Sequence, residues 1–562
     1  MTNVLGLSCF YHDSAASLVQ DGKLTAAVAE ERFNREKHFK GFPEKAVKYC
    51  LEEGDISVED LDYVVFYEKP FLKFERILKS FLSTFPKSRE TFVKSIPQWI
   101  KKKIYMKKVI KDELEYDGDV VFPEHHQSHI GSSFLVSPFD EAAIMTVDAT
   151  GEKATTTLAY GEGNDFEILK EMEFPHSLGL LYSTFTSHLG FYVNSGEGKI
   201  MGMSSYGEPK YYDFIMENLL DLQEDGGFKL NMDYFAYHYS DRMYSDKFLD
   251  AFGEPRDPDR DDFDQRHADL AASIQKVTED IMLKMADHLY QETGSENLCL
   301  AGGVILNCVA NGRLKRESPF ENLYIQGAAG DDGGAVGAAF YTYNTLLDNP
   351  REFSMEDMYW GPSYTNSEIK SFLDSRGIEY KEFDGDEIVE HTAERIADGE
   401  IVGWFQGRIE FGPRALGNRS ILADPRKEES KDIVNKKIKF RENWRPFAPS
   451  MLKEKAGDYM EGIERSPFMI RAYNVVSDQI PAVTHVDRTA RPQTVTRDQN
   501  RRYHDLIKSF GDITDVYVLL NTSFNRRGEP IVCAPEDAFN CFQNSGLDFL
   551  VMEDILVEKD QK

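Results

Sequence analysis

Positive charge is what this sequence is short of. Lys and Arg total 65 against 96 Asp and Glu, a formal net charge of −31. That balance argues against general binding of nucleic acid or of an anionic membrane surface. Long apolar runs are also missing: none approaches the roughly 20 residues that a membrane helix needs. Cysteine is sparse. Cys9, Cys50, Cys299, Cys308, Cys533 and Cys541 form no Cys-x-x-Cys pair, and they read as reduced, mostly buried thiols in a cytoplasmic protein. The start, MTNVLGLSCF, has no basic segment and no cleavage-site pattern, so no secretory signal is expected. What is present is 562 residues, 41% of them hydrophobic, enough for two or three domain cores.

The stretch VVFPEHHQSHIGSSF holds His125 and His129 at i and i+4. If it is helical, both imidazoles lie on one face, one turn apart, a spacing that a metal ion can bridge. Asp148 ends the apolar run Ala142 to Val147, which reads as a buried strand whose tip faces a crevice. Two imidazoles and a carboxylate suit a divalent first-row ion such as iron. The same i, i+4 pair also serves as helix-surface or capping residues.

The first half repeats itself. VLGLS, FYHDSAASLVQDG and KLTAAVAEERF give strand, polar turn, strand, tight turn at Asp21-Gly22, strand. Residues 142–172 give the same order, which predicts two related lobes with a cleft. The facing turns carry His12 and Asp13 in one lobe, Asp148 and Gly151 in the other. NLCLAGG and NLYIQGAAGDDGGAVGAAFY each read as a strand, a glycine loop and a helix, suited to a phosphate at a helix N-terminus. We expect nucleotide contacts at Gly302, Gly303, Asn307 and Gly330, and at Lys199 and Gly202 in the glycine-containing stretch 196–207. Residues 264–293 predict one long helix. Between Lys69 and Lys111 there are thirteen Lys or Arg and two acids, interleaved with aromatics. This basic insertion reads as an amphipathic helical surface, or as an access path for an anionic acceptor, with Lys101, Lys102 and Lys103 as its test positions.

The pattern loosens near 345–365, and the second module follows. There Arg408, Arg414, Arg419, Lys439, Arg441 and Arg445 lie among turn glycines and prolines, a pattern for phosphate or carboxylate capture. Arg488 and Arg491 follow, and the apolar strand at 516–520 runs out into Asn521, Thr522, Ser523 and Asn525. Surface salt bridging is the competing reading of these cations.

Taken together, HDSAAS, HHQSH, VDATGE, AGGVILN, GDDGGAVGAA, GRIEFGPRALGNRS, FRENWRPFAPS, THVDRTARPQTV and LNTSFNRRGEP resemble the O-carbamoyltransferases of antibiotic and nodulation-factor biosynthesis, over essentially the whole chain. The resemblance implies an α/β protein of two modules. Residues 1–350 would form an actin/sugar-kinase-like duplicated ribonuclease-H-type fold, and residues 351–562 an α/β domain similar to threonylcarbamoyl-AMP synthase. It implies that the second module makes carbamoyl-adenylate from carbamoyl phosphate and ATP with Mg, and that the first transfers the carbamoyl group to a hydroxyl of a small-molecule acceptor. The implied ligands of Fe(II), or of another divalent first-row metal, are His125, His129, Asp148 and Asp331. His12 would act on the acceptor. Arg414, Lys439, Arg441, Arg491, Ser523 and Asn525 match the carbamoyl-phosphate and nucleotide positions. A homodimer is compatible with these features. The competing classes are a sugar-kinase-like phosphotransferase, which leaves the Arg-rich second half unexplained; a non-haem iron oxygenase, which leaves the glycine loops unexplained; and a non-enzymatic nucleotide-binding protein, which needs neither the metal cluster nor the cations.

Overall fold

The computed structural model describes residues 1–101, 103–260 and 262–559; Lys102 of the basic insertion lies outside them. The chain forms two compact units. The first holds residues 1–27 and 40–355; the second holds residues 28–39 together with those from 356 onward.

In the first unit, β1 (Asn3–Ser8), β2 (Ala15–Gln20), β3 (Lys23–Ala29), β4 (Tyr63–Phe66) and β5 (Asp119–Val121) form a sheet of order β3-β2-β1-β4-β5. The β2–β3 hairpin turns tightly because Asp21 and Gly22 both take positive φ, 45° and 78°, which suits Asp-Gly. The second copy uses β6 (Glu141–Val147), β7 (Ala154–Glu162) and β8 (Asp165–Glu173). A small separate hairpin follows, β9 (Leu220–Leu222) and β10 (Phe228–Leu230), and then β11 (Asn297–Ala301) and β12 (Asn322–Tyr324). Its order is β12-β11-β6-β7-β8. Read from the hairpin edge, the two sheets have the same order and the same mix: an antiparallel three-stranded meander, then two parallel additions. This duplication is the actin/sugar-kinase-like fold.

Alternation fails where the sheet is covered on both faces. From Ala142 to Val147 every residue is buried, so the run reads as continuously apolar rather than alternating. The helix Asp331–Phe340 packs on the helix His125–Ser133 because small residues let the backbones meet. A Cβ on Gly337 would lie 1.8 Å from the Ser128 carbonyl oxygen, a backbone clash with no room to relax. The helix Gln265–Thr293 is capped by the Asp264 carboxylate and ended by Gly294. The expected single helix after AGG is broken: Gly303–Leu306 is one 3₁₀ turn, and Cys308–Glu317 starts afresh because the Asn307 side chain accepts the Ala310 N–H.

The second unit is built on one eight-stranded mixed sheet. Its strands are β13 (Lys381–Glu382), β14 (Val402–Phe405), β15 (Arg419–Ala423), β16 (Ala448–Leu452), β19 (Gln493–Val495), β20 (Val518–Ser523), β21 (Phe549–Met552) and β22 (Ile555–Glu558); β17 (Tyr473–Asn474) and β18 (Thr489–Ala490) pair separately. The order is β13-β22-β21-β14-β15-β20-β16-β19. Trp404, Ile421, Leu520 and Phe549 are fully buried in its core, each contributing about 1.5–3 kcal/mol of apolar burial. Residues 28–39 dock onto this unit. Arg35 donates to the Ile531 and Pro530 carbonyls at 2.6 and 2.8 Å, and Arg32 to the Gly412 carbonyl at 2.8 Å.

Candidate active sites

HHQSH opens the helix His125–Ser133, with Glu124 and Gln127 closing a capping box. The two outer histidines turn inward and are 2% and 1% exposed. Their Nε2 atoms are 3.1 Å apart, and His125 Nε2 is 2.8 Å from Asp148 Oδ2. Asp148 sits one residue past β6, as the apolar run predicted. Its Oδ1 accepts the Gly303 N–H at 3.1 Å, which leaves Oδ2 for the histidines. Asp331, the first residue of its helix, brings Oδ1 to 3.6 Å from both Nε2 atoms. One ligand atom from each of the four lies within 4.8 Å of the others. Two buried imidazoles and two buried carboxylates are a donor set that fits a divalent first-row cation.

The electrostatics agree. Burial would raise the Asp148 carboxyl, but hydrogen bonds from His125 and His129 hold it well below the usual carboxylate range. Burial would lower His129, yet the Asp148 and Asp331 carboxylates push it up to about 9. The middle histidine has a different job. His126 Nδ1 pairs with Thr146 Oγ1 at 2.6 Å and Nε2 with the Ala154 carbonyl at 3.1 Å. The ring is therefore neutral, with its Nε2–H donated and its Nδ1 accepting, and burial beside His125 and His129 pushes its pKa down to about 3.

His12 follows the β1 strand. Its Nδ1 is 2.9 Å from Asp13 Oδ2, and its Nε2 points the other way, 3.5 Å from Asp331 Oδ2. Burial opposes its charge, but Asp331 and Asp13 push it up to about 9. Gly302 and Gly330 flank the cluster: the Gly302 N–H bonds the Ala329 carbonyl, and Gly330 caps the Asp331 helix. Gly303 spends its N–H on Asp148. Asn307 is tied to Gln275 at 2.9 and 3.0 Å. Gly202 is buried in the helix Glu197–Ser204, where Lys199 lies over the Phe191 ring at 5.0 Å. Sequence reading missed Glu152, whose carboxylate accepts the His125 N–H at 3.0 Å and the Lys69 N–H at 2.5 Å. The VDATGE motif contains it, but nothing local marks it as a helix-end acceptor.

In the second unit, Lys439 Nζ is ringed by four oxygens: Ser523 O and Oγ at 2.6 and 3.1 Å, Asn525 O and Oδ1 at 3.1 and 2.6 Å. The β20 strand thus runs out where expected, onto a lysine. Burial, with Arg441 nearby, pushes Lys439 well below the usual lysine range. Burial pushes Arg441 down too, with Arg445 and Arg491 adding repulsion against Glu442. Arg491 Nε is buried with no hydrogen-bond partner among the described residues. Such a group of cations is an anion-binding arrangement. Arg414 lies in the loop between β14 and β15. Two arginines of the expected set are instead structural. Arg419 is fully buried, stacks on Phe405 at 3.6 Å, and donates to the Gln406, Gly407, Asn418 and Pro362 carbonyls. Arg408 donates to the Gly361 and Trp360 carbonyls. Glu410 organises the same loop by accepting the N–H groups of Leu416, Asn418 and Arg419. Arg488 pairs at the surface with Asp478.

A duplicated actin-like unit with an imidazole–carboxylate cluster, joined in one chain to an α/β unit with clustered cations, defines a group-transfer enzyme of two modules. The carbamoyltransferase N-terminus model matches residues 3–340 and the carbamoyltransferase C-terminus model residues 393–559, so the chain belongs to the carbamoyltransferase family and is an enzyme of carbamoyl transfer. An uncharacterized protein of Synechocystis is 49% identical, over 100% of this chain and 97% of that protein. Nodulation protein NolNO of Sinorhizobium fredii is 37% identical over 98% and 79%. The 3'-hydroxymethylcephem-O-carbamoyltransferase of Amycolatopsis lactamdurans is 27% identical over 76% and 79%. Among the described residues no helix is long and apolar enough to cross a membrane.

Proposed function

We propose that the protein is an ATP-dependent O-carbamoyltransferase that works in two stages, with carbamoyl-adenylate between them. The observation that carries this reading is the division of chemistry: clustered cations in one unit, an imidazole–carboxylate cluster in the other. In the second unit, described by the family resemblance as threonylcarbamoyl-AMP-synthase-like, Arg441, Arg445 and Arg491 would bind the phosphates of carbamoyl phosphate and ATP. Lys439 would be released from Ser523 and Asn525 as those groups turn to substrate. The carbamoyl phosphate C–O–P link breaks to phosphate, a carbamate oxygen attacks the α-phosphorus, and pyrophosphate leaves.

In the first unit His125, His129, Asp148 and Asp331 would hold a divalent cation, iron being the family's ion, which supplies a Lewis acid when bound. Gly303 fixes Asp148, and Glu152 fixes the start of the histidine helix. The acceptor hydroxyl attacks the carbamoyl carbon, AMP leaves, and His12 takes the hydroxyl proton at Nε2. Asp331 is what keeps a proton on that nitrogen. With the Asp331 charge committed to a cation, the pull on the proton falls and the imidazole can accept one. The acceptor is a hydroxyl-bearing small molecule.

The test supplies labelled carbamoyl phosphate and ATP to the full-length protein. Pyrophosphate release that requires carbamoyl phosphate supports the reading. ADP formation would point to a kinase, and nucleotide binding without turnover to a non-enzymatic role.

A further inference from the structure

The basic insertion sends two of its cations inward. Lys73 and Arg76 lie three residues apart on the helix Pro70–Ser83, hence on one face. Lys73 is 5% exposed and its ammonium is 2.5 Å from the Glu68 carboxylate, itself 6% exposed. The same ammonium sits over the Tyr11 ring at 4.7 Å, and that ring packs against His12 with centroids 4.5 Å apart. Arg76 lies over the Phe174 ring at 4.6 Å, and its buried Nε has no hydrogen-bond partner among the described residues. The ionisable groups that face it are Tyr11, Glu68 and Glu152.

The charges do not cancel. Glu68 is matched by Lys73. Glu152 already accepts the N–H groups of His125 and Lys69, and burial raises its pKa. Tyr11 is raised as well, chiefly by burial, and stays a neutral phenol. Arg76 is therefore a surplus guanidinium one residue removed from the metal-type cluster on two sides, through Glu152 to His125 and through Tyr11 to His12. An unpaired, partly buried cation lowers stability unless a ligand brings the counter-charge. We infer that Arg76, oriented by the Lys73–Glu68 pair, is an oxyanion subsite beside the His125–Asp331 cluster, taking a phosphoryl or carboxylate group of a ligand bound in the first unit. This rests on the reading of that unit as the transfer site. Two sources supply such a group: the phosphoryl of an adenylate donor, or an acid group on the acceptor.

The test is binding, without turnover, so it reads out even if carbamoyl transfer fails. In full-length protein carrying Arg491→Met, to silence the second unit's cations, calorimetry compares AMP with adenosine and glucuronate with glucose in the presence of a divalent metal. Adding Arg76→Met should weaken the anionic member of one pair by about tenfold or more, with the neutral member unchanged and Arg76→Lys recovering most of the loss. An effect on AMP assigns the donor phosphoryl; an effect on glucuronate assigns the acceptor. Arg76→Met should also leave the melting temperature of the ligand-free protein unchanged or raised, as for a charge kept for function. Equal binding of all four probes with and without Arg76, or a melting temperature lowered by its removal, overturns the inference.

Discussion

His126 gives the sharpest check on how the histidine helix is built. Its ring is held neutral, with a folded pKa of about 3 against an ordinary value of 6.5. A base depressed by folding contributes stability that is full above pH 6.5 and is lost as the pH falls through the window from 6.5 to 3. The unfolded chain binds a proton there and the fold does not. At pH 5 the loss is about 1.5 pH units at 1.36 kcal/mol each, so roughly 2 kcal/mol relative to pH 7. Replacing His126 with Gln removes the titration. It also removes one of two buried hydrogen bonds, which costs about 1–3 kcal/mol at every pH. The two effects separate by their pH dependence. Urea unfolding of the first unit, followed by amide exchange in the His125–Ser133 helix, should show the wild type losing about 2 kcal/mol more than His126→Gln between pH 7 and pH 5. His126→Gln should still bind metal, because neither ring nitrogen faces the cluster. Parallel pH profiles for the two proteins would show that the ring is not a buried neutral hydrogen-bonding group.

The remaining expectations are shorter. His129→Ala should lose the divalent ion that the wild type holds at about one per chain; elemental analysis giving equal contents would remove the metal reading. Arg491→Ala or Ser523→Ala should abolish pyrophosphate formation yet still transfer from supplied carbamoyl-adenylate, and His12→Asn should do the reverse; normal adenylate formation in both second-unit variants would relocate that site. Gly337→Val should destabilise the first unit by about 3 kcal/mol or more through overpacking against the Ser128 carbonyl, so an unchanged melting temperature would contradict the close helix contact.

Much of the fold was legible because its signals are local. The strand–turn–strand–turn–strand order appears twice in the sequence, and both sheets carry it. The i, i+4 histidines and the acid at the end of an apolar strand needed only helical and strand periods to be placed on converging surfaces. The glycine of GDDGG at 334 and that at 337 were seen as phosphate loops. Gly337 instead permits helix contact, since small residues serve both purposes and composition does not separate them. The docking of residues 28–39 on the second unit was invisible. EERFNREKH follows an apolar strand as any polar turn would, and the Arg35 acceptors lie almost 500 residues further along the chain.

Arginine in the second unit shows the limit most clearly. Arg408, Arg419, Arg441 and Arg491 share one composition and similar Gly- and Pro-rich surroundings, and from sequence all four read as anion binders. Their fates diverge because a guanidinium is spent once its N–H groups meet carbonyls. Arg419 donates to four carbonyl oxygens and stacks on Phe405, so it holds the β14–β15 edge and has little left for a ligand. Arg491 has a buried Nε without a partner. Which of these a given arginine becomes depends on where backbone carbonyls at residues such as 361, 362 and 406 come to lie, a tertiary fact with no counterpart in local pattern. The same distinction separates the cations of the basic insertion: their number is plain in the sequence, but only packing singles out Arg76 as the one whose buried Nε is left without a partner.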